Sequence, residues 1–452
     1  MSNISSIMNL ASAAEALSAR PPIANFTFSG VSTDSRSIKT GDLFIALRGP
    51  NFNGNEYVDE VAKAGAVGAI VDEDIISNIP LIKVTDARIA LGKLASAQRQ
   101  RFLKPVIGLT GSNGKTTVKE LLSAILSTSG EVLSTEGNLN NDIGVPLTLL
   151  RIRDDQDYAV IEMGANHVGE IEYLTSMVKP DIAVITNAGE AHLAGFGSLE
   201  NIASAKGEIF QFLNHDGVAV INADDSFSMF WKTLAKKSAQ ITFGIADDNA
   251  NVRAKNIVEE GKKSGFTLCI AHQEIPIQWS LHGRHNVYNA LAAAAVASAL
   301  NIPIENMAKA LSAFSPVKGR LNILHAINNA CLIDDSYNAN PTSSRAAIDV
   351  LANYSRKRIL VLGDMKEMGE SAAEIHESLG VYAKEKKIDA IYTTGEHGLV
   401  TARGFGDSGF YFSTQNELLQ ALLEVMASDV TVLVKGSRGS KMEIIVEGLK
   451  AV

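Results

Sequence analysis

Short apolar runs, each ended by glycines or polar residues, alternate along the chain with segments whose apolar positions return every three or four residues. The unbroken run Val106–Leu109 predicts a buried strand. The segment after Lys115 predicts an amphipathic helix with Val118, Leu121, Leu122 and Ile125 on one face. Tyr158–Met163, Asp181–Asn187 and Gly217–Asn222 have the same strand character, so strands and helices alternate from about residue 85 to 317. Such alternation implies a largely parallel sheet with helices on both faces. The stretch Asn251–Leu281 breaks the rhythm: its β-like runs, separated by "EEGKKSG" and "AHQ", predict antiparallel hairpins attached to that sheet.

Ahead of this array, "DLFIALRG" and "AVGAIVDE" read as short strands around a helical stretch near Tyr57–Ala64, a small α/β unit. In "SPVKGRL" (Ser315–Leu321), Pro and Gly separate ordered segments and mark the expected hinge. Beyond it "NACLIDDSYNANP", "KRILVLGDM", "DAIYTTG" and "DVTVLVKGS" each precede a helical pattern, a second βα array and hence a Rossmann-like unit. The expectation is an α/β protein of three domains, at 1–84, 85–317 and 318–452. The first is small, the second has a P-loop ATPase-like parallel sheet with added antiparallel hairpins, and the third is Rossmann-like. No internal repeat or low-complexity segment interrupts them.

Composition narrows the classes. A hydrophobic content of 46% and a charged content of 20% describe an ordinary globular protein. The net charge of −9, with no basic run, argues against a nucleic-acid partner. Cys269 and Cys331 each lie inside an apolar stretch, so they offer no metal-ligand spacing and read as core residues of a reducing compartment. The start "MSNISSIMNLASAAEALSARPP" has no basic segment before its apolar residues, so no signal peptide is expected. No charge-free apolar stretch reaches the roughly 18 residues of a membrane span, and "NVYNALAAAAVASALNIP" reads instead as a buried, Ala-rich helix. A cytoplasmic location is expected.

Candidate chemistry centres on "TGSNGKTT" (Thr110–Thr117) between the first strand and helix. The usual G-x-x-x-x-G-K-[ST] pattern is not met, because Leu109 stands where its first glycine would be. Gly111 and Gly114 still allow a tight turn that brings backbone N–H groups to an anion, Lys115 can reach β- and γ-phosphates, and Thr116 can bind Mg²⁺. The strand "YAVIEMGANH" ends in Glu162 near His167, and "DIAVITNAGEAHL" ends near Asn187, Glu190 and His192. Strand ends are where open α/β sheets bind ligands, so Glu162 is the natural further ligand for Mg²⁺. Lys206 in "AKGEIF" precedes apolar Ile209 and Phe210, which places its helix against a core. A buried lysine has a lowered pKa and becomes chemically available. His285, Asn286 and Asn289 open the Ala-rich helix, where Asn286 can serve as N-cap. If the domains close, Arg320 can meet phosphates and Asp334 or Asp335 ribose hydroxyls.

The blocks "TGSNGKTT", "EMGANH", "NAGEAHL", "AKGEIF", "GRHNVYNALA", "KGRL" and "DDSYNANP", in this order, resemble the Mur ligases. The likeness covers essentially the whole chain, including "TDSRSIKTGDLFIALRG" near its start. "TEGNLNNDIGVPLTLL", "ANHVGEIEYL", "GDMKEMGE" and "VKGSRGSKME" resemble the member that uses a UDP-linked muramoyl tripeptide and D-alanyl-D-alanine. The resemblance implies an ATP-dependent ligase that makes an acyl phosphate on the tripeptide and lets the dipeptide amine attack it. Gly111, Ser112, Asn113, Gly114, Lys115, Thr116 and Thr117 would hold the ATP phosphates. Thr116 and Glu162 would hold one Mg²⁺, and His192 with a carbamylated Lys206 a second. The resemblance gives Lys115, His192 and Lys206 the catalytic roles. Asn286, Arg320 and Asp335 match contacts to the ATP base, phosphate and ribose, Asn140 and Asn141 a loop meeting the UDP-sugar, and Ser35 and Arg36 the uridine contact. A monomer is expected. No motif selects lysine or diaminopimelate as the third amino acid. A folylpolyglutamate synthetase-like enzyme or another Mur ligase would share the phosphate loop, but the folate ligases are not expected to carry "DSRSIKTGDLF". A P-loop ATPase switch would show an apolar strand ending in Asp, where this strand ends in Glu162.

Overall fold

The computed structural model describes residues 8–260 and 263–451. The start of the segment read as lacking a signal peptide (1–7) and the tip of the "EEGKKSG" turn (261–262) lie outside the described residues.

The central sheet has nine strands, in the order Val132–Ser134, Tyr158–Glu162, Val106–Thr110, Ile182–Ile185, Val218–Asn222, Ala239–Gly244, Val252–Glu260, Lys263–Ile270 and Gln273–Trp279. All pairings up to Val252–Glu260 are parallel, and the last two are antiparallel, as the broken rhythm of Asn251–Leu281 implies. The chain leaves Val106–Thr110 for one edge, returns to pair beside it, then crosses to its other side at Ile182–Ile185. Strand order thus reverses at Val106–Thr110, and a crevice opens at its carboxyl end.

Both faces of this strand are covered, which is why it reads as a continuous apolar run. Ile107 and Leu109 pack with Val118, Leu121, Leu122 and Ile125 of the helix Lys115–Leu126 and with the helix Arg284–Ala299. In the latter, Ala290–Ala297 are wholly buried, so the Ala-rich segment is a core helix. Among the described residues no helix is long and apolar enough to cross a membrane. On the opposite face Val106 packs with the helices Ala87–Arg101 and Glu170–Val178.

The first unit has four parallel strands, Gly30–Ser32, Asp42–Ile45, Gly68–Val71 and Leu81–Lys83, and the helix expected near Tyr57–Ala64 spans Val58–Lys63. Its core residues Leu10, Phe28, Leu43 and Ile70 belong to the same apolar cluster as Ile161 and Ile185 of the central sheet. The carboxy-terminal sheet runs Asn322–His325, Cys331–Asp335, Val430–Lys435, Lys357–Leu362, Ala390–Thr394 and Gly409–Phe412. Only its first pair is antiparallel, and it has separate cores on its two faces.

Candidate active site

The loop between Val106–Thr110 and the helix Lys115–Leu126 is shaped by two glycines. Gly111 has φ +149°, and a Cβ there would sit 1.9 Å from Thr186 Oγ1. Gly114 has φ +82°, and its Cβ would sit 2.2 Å from Asn289 Oδ1. Only glycine fits such positions without displacing a neighbour. The Ser112 and Asn113 amides donate to the carbonyl and side-chain oxygens of Asn187, both at 3.0 Å. The first turn of the helix has no side-chain cap, so its leading N–H groups and positive dipole end face the crevice together with Thr116. Lys115 Nζ donates to the Gly111 carbonyl at 2.7 Å. Burial lowers its pKa, Glu162 opposes the shift and Arg320 adds to it.

Glu162 ends its strand with a buried carboxylate. One oxygen accepts from Asn140 Nδ2 at 2.8 Å, while the other, Oε2, is buried and has no hydrogen-bond partner. A buried, unpaired carboxylate oxygen beside a phosphate loop is what a hard cation seeks. Among the described residues no group of three or more His, Cys, Asp or Glu side chains is arranged to hold a metal ion.

Lys206 lies near the end of the helix Leu199–Gly207, with only 2% of its surface exposed. Its ammonium packs 5.3 Å from the centroid of the Phe196 ring. Burial first, and the Lys115 charge second, pull its pKa down to about 7 against the opposing pull of Glu208 and Glu170. His192 caps a short helix from a left-handed backbone, and burial lowers its pKa against the pull of Glu367.

The carboxy-terminal unit forms the facing wall. Arg320 lies over the Tyr337 ring at 4.2 Å. Asp335 accepts from Lys435 Nζ at 2.6 Å and from the Leu321 amide at 3.2 Å. The units touch directly: Asn340 Nδ2 donates to Asn113 Oδ1 at 2.7 Å, and His192 Nδ1 pairs with Glu367 Oε2. The cleft between them has a volume of about 1300 Å³.

Ser112, Asn113, Gly114, Lys115, Thr116, Thr117, Asn140, Asn141, Glu162, His192, Asn286, Arg320 and Asp335 all line this cleft. Gly111 and Lys206 stand behind its lining, within the same network of contacts. Ser35 and Arg36 do not line it; they form a turn in the first unit, where Arg36 pairs with Asp34 in solvent. Asn286 is not an N-cap. Gly283 caps the helix, and Asn286, inside its first turn, donates to the His282 carbonyl at 2.7 Å. Sequence reasoning assigned no role to Asn340, Glu367 or Lys435. The signals for them were their position at or just after carboxyl ends of strands in the second array and their place inside blocks that carry the resemblance, Asn340 in "DDSYNANP", Glu367 in "GDMKEMGE" and Lys435 in "VKGSRGSKME".

Three family descriptions match in succession: "Mur ligase family, catalytic domain" over residues 27–99, "Mur ligase middle domain" over 109–297 and "Mur ligase, glutamate ligase domain" over 319–438. The chain is 41% identical to the UDP-N-acetylmuramoyl-tripeptide–D-alanyl-D-alanine ligase of Escherichia coli, over 94% of this chain and 95% of that one. Against the ligase of the same name from Bacillus subtilis it is 36% identical, over 98% of both. Among solved structures, MurF of Acinetobacter baumannii superposes with a TM-score of 0.91 at 36% identity, covering 97% of this chain and 98% of that one. MurF of Thermotoga maritima, solved with ADP, has a TM-score of 0.83 at 27% identity, over 93% and 96%.

Proposed function

The chain belongs to the Mur ligase family, and from that premise we propose that it joins D-alanyl-D-alanine to UDP-N-acetylmuramoyl-tripeptide with ATP as the energy source. The observation that carries this reading is the likeness along the whole chain, 41% identity over 432 residues, to a ligase of that name. The product is a UDP-linked muramoyl pentapeptide, a peptidoglycan precursor.

A carboxylate acylates an amine only after one of its oxygens becomes a leaving group. The terminal carboxylate of the tripeptide attacks the γ-phosphorus of ATP, ADP departs, and an acyl phosphate results. The dipeptide amine then adds to the acyl carbon, loses a proton, and the tetrahedral adduct expels phosphate. The leading N–H groups of the helix Lys115–Leu126 and the Lys115 ammonium hold the phosphates, and Arg320 adds positive charge from the facing unit. Asn286 and Asp335 line the same cleft and are assigned to the base and ribose of ATP. Asn140, which donates to Glu162, and Asn141 line the cleft and are assigned to the UDP-sugar substrate, and Ser35 with Arg36 is assigned to the uridine end.

The donor set fits Mg²⁺: Thr116 and the unpaired Glu162 Oε2 would hold one ion, leaving phosphate and water to fill the remaining positions. When bound, Mg²⁺ neutralises charge that develops on the transferring phosphoryl group. Lys206 suits carbamylation, which requires the neutral amine. Burial and the Lys115 charge pull its pKa down to about 7, so the neutral amine is far more accessible at neutral pH than in an ordinary lysine. The Nζ lone pair of the neutral amine adds to CO₂ and one proton is released, which leaves an anionic oxygen donor that, with His192, would hold a second ion. Every group invoked belongs to one chain, so a monomer suffices, and a chain with only two cysteines, each inside an apolar stretch, suits a reducing cytoplasm. The expected divisions at 1–84, 85–317 and 318–452 assign the UDP end, ATP and the amine to successive units.

Isotope transfer tests the route. Tripeptide labelled with ¹⁸O in its terminal carboxylate is expected to yield phosphate carrying one ¹⁸O. Unlabelled phosphate alongside pentapeptide would rule out the acyl phosphate.

A further inference from the structure

We propose that Glu367 is a positioning residue that fixes the ring of His192 when the carboxy-terminal unit closes on the phosphate loop; this rests on the ligase reading above. Glu367 sits on the loop that follows the strand Lys357–Leu362, and His192 on the loop that follows Ile182–Ile185. They are 175 residues apart and meet across the cleft, His192 Nδ1 against Glu367 Oε2. A second bond runs alongside, from the Ala194 amide to the Glu367 carbonyl at 3.2 Å. Both partners have left-handed backbone, with φ +57° at His192 and +64° at Glu367. Neither is glycine, and such conformations persist in side-chain-bearing residues where surrounding structure imposes them.

The loop of Glu367 is held from behind. Met365 N–H donates to His376 Nε2 at 3.0 Å, and His376 Nδ1 bonds the Ala372 carbonyl at 2.7 Å, so the buried His376 is an acceptor toward the loop. Asp364, one step earlier, accepts from the amides of Glu396 at 2.8 Å and His397 at 3.0 Å. Its carbonyl accepts from the Ser437 amide at 3.0 Å. Glu367 therefore projects from a fixed base.

Stability does not explain this arrangement. The Glu367 side chain is 54% exposed, and an exposed ion pair contributes little to folding. Orientation does. A carboxylate that accepts the Nδ1–H of an imidazole sets the tautomer and leaves Nε2 bare as the coordinating nitrogen. His192 is supplied by the central unit and its orienting carboxylate by the carboxy-terminal one, so the ring is set only in the closed arrangement.

The test uses the full chain labelled with ¹⁵N-histidine, with Mg²⁺ and a non-hydrolysable ATP analogue, and reads the ring nitrogens of His192, identified by their loss in His192→Ala. The Nδ1-protonated form is expected in the parent protein and in Glu367→Gln, whose amide oxygen still accepts. Glu367→Ala is expected to show a tautomer mixture. In turnover, Glu367→Ala should lose about ten- to a hundredfold in kcat and need more Mg²⁺ for half-maximal rate, with KM for ATP within about twofold. Glu367→Gln should recover most of kcat. An unchanged His192 spectrum in Glu367→Ala overturns the proposal, whatever happens to the rate. Should the alanine variant melt early, an Nδ1-protonated ring in Glu367→Gln still supports the proposal and its loss there refutes it. The ring spectrum needs neither muramoyl substrate nor dipeptide, so failure of the ligase reading would be seen separately, as absent turnover by the parent protein.

Discussion

At Lys206, folding works against a charge. The native pKa near 7 lies below the ordinary lysine value, because burial and the Lys115 ammonium both disfavour the protonated form. Between these two values the unfolded chain binds a proton that the native state does not, so stability rises with pH through that window. Lys206→Met lacks the penalty. In bicarbonate-free buffer its melting temperature is expected to exceed that of the parent protein most below about pH 7, and the gap should shrink as pH approaches about 10; a gap independent of pH would contradict the lowered pKa. The carbamate makes a second demand. Lys206→Ala should lose turnover by at least about a hundredfold, and formate or acetate should restore part of it; full activity in that variant would refute the role. The sequence allowed the burial of Lys206 to be read from Ile209 and Phe210, but not the proximity of Lys115, which depends on how two helices meet. The orphaned Oε2 of Glu162 was equally illegible, since it depends on where Asn140 points.

Among the elements, the strand–loop–helix of Val106–Leu126 is the one the sequence described most completely. Its apolar run and helical face are both wholly buried, as continuous and three-to-four-residue periodicity imply. The absent first glycine has a plain cause: Leu109 lies in the core within a strand that extends to Thr110, so the loop starts at Gly111 and is short. Gly111→Ala would drive a methyl into Thr186 Oγ1, and Gly114→Ala one into Asn289 at an unfavourable φ. Both are expected to weaken ATP analogue binding by at least about tenfold in calorimetry, an effect of the size seen when a residue is forced into a strained backbone. Binding within twofold of the parent protein would mean that the loop does not hold the nucleotide. Lys115→Ala should abolish turnover while the circular dichroism spectrum stays unchanged. The helix Arg284–Ala299 shows where local reading stops. Asn286 has the chemistry of an N-cap, yet the chain enters through Gly283 and the helix begins two residues earlier.

For the whole molecule, the decisive contacts join residues that no local pattern links. Asn113 meets Asn340 across 227 positions, and His192 meets Glu367 across 175. The sequence indicated that both arrays end their strands in polar residues, and strand-end geometry places those ends on crevices, but only the packing of the units brings the two crevices face to face. The first unit, by contrast, shares its apolar core with the central sheet, so movement is expected at the carboxy-terminal unit, around Ser315–Leu321. Small-angle scattering should show the radius of gyration of Asn340→Ala falling less than that of the parent protein when ATP analogue and UDP-muramoyl tripeptide are added together. Identical compaction would mean that the Asn340–Asn113 contact does not help hold the units together. The central claim, that this cleft activates a carboxylate for attack by an amine, meets its most direct test in phosphate release from ATP, with UDP-muramoyl tripeptide and D-alanyl-D-alanine supplied singly and together. Sustained release only with both present is the expected result, accompanied by one pentapeptide per phosphate. Equal release with neither present would make water the acceptor and the protein an ATPase.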